Sequence, residues 1–587
     1  MAICCKRKPG NSLLQTLAPP LPKPIWDKTV LLFQGLLLLY FMASCRAYIP
    51  QRDAAEQLVR DLGCAGCHSG LALRSSRRDQ IPDLSCAGLR YNPAYLFSYL
   101  MEPTRIRQHI GYARMPNYHL SRKEALALVL FLDTQRDLTE TWPEYPFRLN
   151  QAIHSNPGKT SNGDAKALIT ETLGCTSCHN LEAIGASSAS ELSTVAYRLN
   201  PEWLARYLAA PYVFDRSGSM PAMFYKLDPT KGFVEILPGS AEKIGAIVDY
   251  LFSLNKKKSE ELQESYQLAK AAYPEANASL GERIFRSQNC VACHRHAFIK
   301  PWAEATAPDL SIEGTKVNRH WLEKYLKAPT SIRPFGFYPG SGSRMPDFGL
   351  ADDEVTILSD YLMKQQRPIN TTGQTFTQER LSAFAMAKVA ALLKEKLPCL
   401  GCHQLGNLGG RIGPNLSSLR IRLKPSYVSQ IINNPRAVVP ETIMPKIEMP
   451  EETSSLLVNF LLQQDIAIDD SSVLSLIDNP ITLFEKEGAG TYLTHCAPCH
   501  GERGDGAGYN AKFLPTPPTA HSNGAYMAKR PDDTVFDGIF GGGYILNKHH
   551  FMPAFGHTLE RSEIWNLVSH IRQLCTCAAP KWSRDDS

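Results

Sequence analysis

Five times the chain sets two cysteines, separated by two residues, directly before a histidine. The segments are Cys64-Ala65-Gly66-Cys67-His68, Cys175-Thr176-Ser177-Cys178-His179, Cys290-Val291-Ala292-Cys293-His294, Cys399-Leu400-Gly401-Cys402-His403 and Cys496-Ala497-Pro498-Cys499-His500. A Cys-x-x-Cys pair suits a zinc knuckle or a redox dithiol as well as thioether formation. Histidine is only 16 of 587 residues. Its presence after all five pairs by chance has odds on the order of 10⁻⁸, and only covalent haem attachment requires it there. Two thiols on one helical turn each add to a vinyl group of one haem, and the adjacent imidazole swings under the ring as axial ligand. The motifs therefore predict five covalently bound haem c groups. Cys64, Cys67, Cys175, Cys178, Cys290, Cys293, Cys399, Cys402, Cys496 and Cys499 are the attachment points, with His68, His179, His294, His403 and His500 on the irons.

A low-spin carrier needs a sixth ligand, usually Met or His. One Met-Pro dipeptide follows each motif: Met115-Pro116, Met220-Pro221, Met345-Pro346, Met444-Pro445 and Met552-Pro553, at 47, 41, 51, 41 and 52 residues from the histidine. Proline keeps a helix from running through such a loop. A packing methionine needs no fixed partner, so five pairs in register point to Met115, Met220, Met345, Met444 and Met552 as ligands. Met223 and Met449 are neighbouring substitutes. No histidine lies between His179 and His294 or between His403 and His495, which removes bis-His ligation within the second and fourth repeats; His109, His119, His320, His549 and His550 keep that option in the others.

The motifs recur at intervals of 111, 115, 109 and 97 residues, each the size of a small domain, and repetition at that scale predicts beads on a string. The first four repeats share a helix with an apolar stripe at i, i+1, i+4 and i+5, closed by proline: residues 93–103, 201–211, 319–329 and 425–435. Its place, with the closing proline 35 or 32 residues after each histidine, makes it a wall of the haem site. A third helix follows each methionine; the one after Ser121 opens with the Ser-x-x-Glu pattern of a capping box. Amphipathic stretches such as 53–62 and 278–285 precede the motifs.

Helix, Cys-x-x-Cys-His, helix, Met loop, helix: this order resembles class I cytochrome c. The resemblance covers nearly all of residues 50–578 and implies an all-α fold of five tandem domains, 50–138, 163–254, 279–365, 379–465 and 482–578, each a small helical bundle around one haem. The fifth repeat lacks the wall segment and carries His500-Gly-Glu-Arg-Gly-Asp-Gly506 and Met552-Pro-Ala-Phe555, so it looks like the small soluble or oxidase-associated c-type cytochromes. Electron transfer by ferrous and ferric iron is the implied function, with no catalytic residue. Residues 139–162, 254–278, 365–378 and 465–481 are polar or Pro/Asn-rich and fall between repeats.

Residues 1–45 read as an export signal or membrane anchor: Lys6, Arg7, Lys8, Lys23 and Lys28 precede the apolar run 30–42, shorter than the roughly 18 residues of a membrane span. Met42-Ala43-Ser44-Cys45 resembles a bacterial lipobox, with Met where Leu is usual; ordinary cleavage near Ala47 is the remaining option. The expectation is an exported, membrane-tethered, periplasmic or cell-surface protein. The net charge of +6, from 63 basic and 57 acidic residues, falls to +2 without residues 1–44 and gives no reason to expect a nucleic-acid partner; with ten propionates it becomes about −8. Cys86 is expected as a small buried residue, and Cys575 and Cys577 receive no role.

These readings converge on a pentahaem electron carrier working between a membrane or periplasmic donor and another redox protein, alone or within a membrane oxidoreductase complex. His/Met ligation raises the potential relative to bis-His, which suits the oxidising side of a respiratory chain. The alternative is a haem enzyme in which one iron keeps an open position for a small molecule such as peroxide.

Overall fold

In a computed structural model the chain is described over residues 51–68, 81–106, 114–136, 162–214, 220–221, 223–228, 233–294, 296, 298–299, 307–330, 332, 345–368, 376–417, 419–440, 442–464 and 490–584. The expected signal segment and His109 lie outside them. Among the described residues no helix is long and apolar enough to cross a membrane. Residues from Ala54 onward form one body.

The architecture is mainly helical, as the resemblance implied. Sixteen described helices have six residues or more: α1 (Gln51–Leu62), α2 (Pro93–Met101), α3 (Arg122–Thr134), α4 (Asn162–Ala167), α5 (Pro201–Ala209), α6 (Ser240–Ser253), α7 (Lys256–Ala272), α8 (Ala278–Ser287), α9 (Arg319–Lys327), α10 (Asp352–Met363), α11 (Ala383–Glu395), α12 (Pro425–Asn433), α13 (Glu451–Leu462), α14 (Gly490–His495), α15 (Asp532–Phe540) and α16 (Arg561–Cys575). Two antiparallel pairs, Asn180–Leu181 with Ile184–Gly185 and Tyr225–Asp228 with Phe233–Ile236, both lie in the second repeat.

Local chemistry sets the helix starts. Asn92 and Asn200 accept from the backbone N–H of Ala94 (3.0 Å) and Glu202 (3.1 Å), with Pro93 and Pro201 in the first turn of α2 and α5. Ser121 Oγ accepts from Glu124 N (3.3 Å) and Glu124 Oε2 from Ser121 N (2.6 Å), the predicted capping box. On the wall helices the apolar stripe carries aromatic stacks at i, i+4: Tyr95 with Tyr99 at 5.5 Å, Trp203 with Tyr207 at 4.9 Å, Trp321 with Tyr325 at 4.8 Å. Helix α7 occupies a stretch expected only as a boundary; it buries Leu262, Tyr266 and Ala269, and the Tyr266 ring packs 5.9 Å from Phe97 of α2.

Neighbouring wall helices are joined by two-residue bridges at their starts. Asn92 N donates to Arg198 O (3.0 Å) and Asn200 N to Arg90 O (2.9 Å), while Asn318 N donates to Arg422 O and Lys424 N to Lys316 O, both 2.9 Å. The first repeat is thus docked on the second and the third on the fourth by the same device.

The first and third repeats are not separate beads. Leu58, Val59 and Leu62 of α1 belong to one buried cluster with Leu322 and Leu326 of α9 and Val355, Leu358 and Leu362 of α10. Ile284 and Phe285 of α8 sit in another with Phe97 of α2 and Ala127 and Phe131 of α3. Each N-terminal helix packs on the C-terminal helix of the other repeat, so the contiguous boundaries 50–138 and 279–365 do not describe how these side chains group.

Candidate haem sites

Each motif forms a short turn. His68, His179, His294, His403 and His500 follow, and in all five the ring is fixed in the same way. Nδ1 lies within hydrogen-bond distance of a backbone carbonyl: Pro308 O for His68 (2.8 Å), Ser190 O for His179 (2.7 Å), Pro82 O for His294 (3.0 Å), Pro414 O for His403 (2.8 Å) and Thr519 O for His500 (2.8 Å). A carbonyl only accepts, so Nδ1 carries the proton and Nε2 keeps its lone pair. Burial lowers the affinity of His68, His294 and His500 for a second proton, which preserves the neutral, ligating form. At Gly413 a Cβ would sit 2.5 Å from Cε1 and Nδ1 of His403, so this position has room for hydrogen alone beside the ring.

Three large cavities open in front of motifs. One, of about 210 Å³, is lined by Cys64, Cys67, His68, Trp321, Leu326 and Met345. Another, of about 200 Å³, has Cys399, Cys402, His403, Tyr427, Met444 and Met449 on its walls. The third, of about 230 Å³, takes in Cys496, Cys499, His500, His549 and Met552. Met115 and Cys290 pack against one buried cluster, and Met220, Met223 and Cys175 against another. Each cavity therefore joins two thiols, an imidazole whose Nε2 is the unprotonated nitrogen and a thioether within apolar walls, a donor set that fits haem c. Cys64, Cys290 and Cys496 are pushed up to about 12 and Cys399 to about 11, with burial the leading cause. Such surroundings disfavour a zinc-bound thiolate and accommodate a neutral thioether. Among the described residues no group of three or more His, Cys, Asp or Glu is arranged to hold a metal ion.

Of the alternative histidine ligands, His119 is a loop residue whose side chain is 42% exposed and lies 3.9 Å from Asp347, and His320 is exposed. Among the described alternatives only His549 lines one of the three cavities, together with Met552.

Two pairs of motifs are packed together. A Cβ at Gly63 would lie 3.2 Å from Cys293 Sγ, and one at Gly66 would lie 3.1 Å from Ala292 Cβ, so the first and third motifs are in contact. Tyr118, whose phenol burial pushes up, is influenced by Cys290, Cys67 and Cys293 together. The fourth and fifth motifs meet through Asn510, which is fully buried. Its Nδ2 donates to Gly401 O (2.7 Å) and contacts Cys499 Sγ (3.4 Å), and its Oδ1 accepts from Arg411 N (2.8 Å). No sequence signal marks Asn510: its role depends on a partner about a hundred residues away. Lys316 and Arg422 line both the cavity of the first motif and that of the fourth.

Among the described residues three cysteines lie outside the motifs, and none of them lines these three cavities. Cys86 is buried, and Cys575 and Cys577 form a disulfide.

Residues 53–136 and 278–366 match the family described as Cytochrome c, and residues 485–571 match that described as Cytochrome C oxidase, cbb3-type, subunit III. Together they cover less than half of the chain. No curated protein and no solved structure matches it.

Proposed function

We propose that this multihaem c-type cytochrome relays electrons through five His/Met-ligated haems, between a membrane or periplasmic donor and another redox protein. Bound haem supplies a one-electron ferrous/ferric couple; everything else is the work of the chain. The observation that carries the reading is the shared state of the five motif histidines, each with Nδ1–H held by a carbonyl and Nε2 left to bind iron. A carbonyl that accepts from the far ring nitrogen fixes ring orientation and raises ligand basicity. The apolar walls exclude water, and thioether ligation favours the reduced state relative to bis-His.

Contact between the first and third motifs, and between the fourth and fifth, supports a relay over five isolated sites. The likeness of residues 485–571 to an oxidase subunit supports a terminal domain that exchanges electrons with a partner. The N-terminal 45 residues serve as the export signal and tether, placing the relay outside the cytoplasm on a membrane surface.

Electron paramagnetic resonance of the air-oxidised holoprotein, followed through a redox titration, tests this. Five low-spin ferric signals, each removed reversibly by one electron, are expected. A high-spin signal that responds to peroxide would instead establish the enzyme reading.

A further inference from the structure

We propose that the first and third haem sites are crossed: the haem held by Cys64, Cys67 and His68 takes Met345 as its sixth ligand, and the haem held by Cys290, Cys293 and His294 takes Met115. The assignment rests on the His/Met reading above and deepens it.

The histidine anchors show the exchange as reciprocal. Pro82 and Pro308 occupy the same place in their repeats, each 14 residues after a motif histidine, yet His68 uses Pro308 and His294 uses Pro82. In the second and fourth repeats the anchor comes from the same repeat, 11 residues on. Adjoining backbone contacts follow the crossing: Ala307 N donates to Cys67 O at 3.1 Å.

The anchor carbonyl cannot cross alone. The segment that supplies Pro308 runs on into α9 and the Met345 loop, so the wall and the thioether arrive with it. Accordingly Trp321, Leu326 and Met345 line the cavity of Cys64 and His68, and Met115 is absent from it. Met115 instead packs against the buried cluster of α2, α3 and α8, the same cluster that Cys290 packs against.

The two Met loops are tied to each other. Asn117 N donates to Asp347 O (2.6 Å) and Asp347 N to Asn117 O (2.7 Å), and Arg114 Nη2 pairs with Glu354 Oε2 at 2.6 Å where both side chains are largely buried. Lys123 of α3 meets Glu275, just before α8, at 3.0 Å. A sequence feature permits the exchange. The first and third repeats carry three more residues than the second and fourth between the histidine and its anchor position, and three extended residues add about 10 Å of reach. With the wall-helix bridges, the crossing sets the motifs in the spatial order second, third, first, fourth, fifth.

The test uses the full-length holoprotein and its near-infrared sulfur-to-iron bands, with haem number read from intact mass. Cys64→Ser/Cys67→Ser removes the first haem and one band. Met345→Ala then removes one band from the five-haem protein and none from the four-haem variant, whereas Met115→Ala removes one from each. If Met115→Ala is the silent change in the four-haem variant and Met345→Ala removes a band from it, the crossing is overturned and His/Met ligation stands. If neither removes a band from the five-haem protein, His/Met ligation itself fails at these sites, and the crossing with it. Should the cysteine variant not accumulate, zero-length carbodiimide coupling of the unaltered holoprotein decides the helix exchange. A Lys123–Glu275 linkage is expected by mass spectrometry, and its absence under conditions that couple exposed pairs such as Lys327–Asp352 overturns the crossing.

Discussion

Gly281 offers a sharp perturbation of the exchanged helices. It lies in α8 of the third repeat, and a Cβ there would sit 2.0 Å from the carbonyl oxygen of Ala127 and 2.7 Å from Phe131 Cβ, both in α3 of the first repeat. Side-chain carbons essentially never approach closer than 3.0 Å, so the helices must part by about 1 Å. In an exposed helix, Gly→Ala stabilises by about 1 kcal/mol. Here that gain is opposed by overpacking, which costs about 1–3 kcal/mol. Because the obstacle is backbone, the upper half of that range applies, leaving a net loss of about 1–2 kcal/mol. The body is too large for a single two-state unfolding energy to be meaningful, so the readout must be local. Hydrogen exchange by mass spectrometry on Gly281→Ala is expected to accelerate by about 5- to 30-fold in peptides from α3 and α8, and little in α16. Unchanged or slower exchange in both helices would refute the packing of α8 on α3.

Gly413→Ala drives a methyl group into the His403 ring; under the proposed ligation, covalent attachment at Cys399 and Cys402 is expected to persist while one new high-spin signal appears in the oxidised protein, and an unaltered spectrum contradicts the placement. Asn510→Ala leaves Gly401 O and Arg411 N without their buried partner and is expected to cost about 2–4 kcal/mol locally, seen as faster exchange around Ala497–His500 and the fourth motif with haem count unchanged. Glu354→Ala strands the Arg114 guanidinium between the two Met loops, a loss of about 3–5 kcal/mol for a buried pair. Glu354→Gln is expected to recover part of it, read by hydrogen exchange in peptides spanning 114–120 and 345–358; equal exchange there in Glu354→Ala and the parent would argue against the pair. Met444→Ala is expected to remove one sulfur-to-iron band; a band that persists until Met449 is also replaced identifies Met449 as the ligand.

Much of the site chemistry was legible because it is local. A Cys-x-x-Cys-His turn, a Met-Pro loop, the Ser121/Glu124 capping box and the aromatic spacing of the wall helices each lie within a few residues, and side-chain spacing alone predicts their geometry. What the sequence concealed is pairing over long separations. Pro82 and Pro308 sit equivalently in their repeats, and nothing near either proline says which histidine it will anchor. The three extra residues before them were visible as a length, though their use was not. Helix α7 was concealed differently: Leu262, Tyr266 and Ala269 do follow helical spacing, but a segment rich in Lys and Glu reads as solvated until Phe97 supplies a surface to bury them against. The Cys575–Cys577 disulfide likewise had no spacing rule to announce it.

Covalent haem stoichiometry tests the central claim most directly, because thioether bonds survive denaturation while every other haem contact is lost. The intact mass of the unfolded, purified holoprotein is expected to exceed that of its polypeptide by five haem groups, with tryptic haem-peptides at all five motifs. A protein that carries only three, at the motifs within residues 53–136, 278–366 and 485–571, would contradict it.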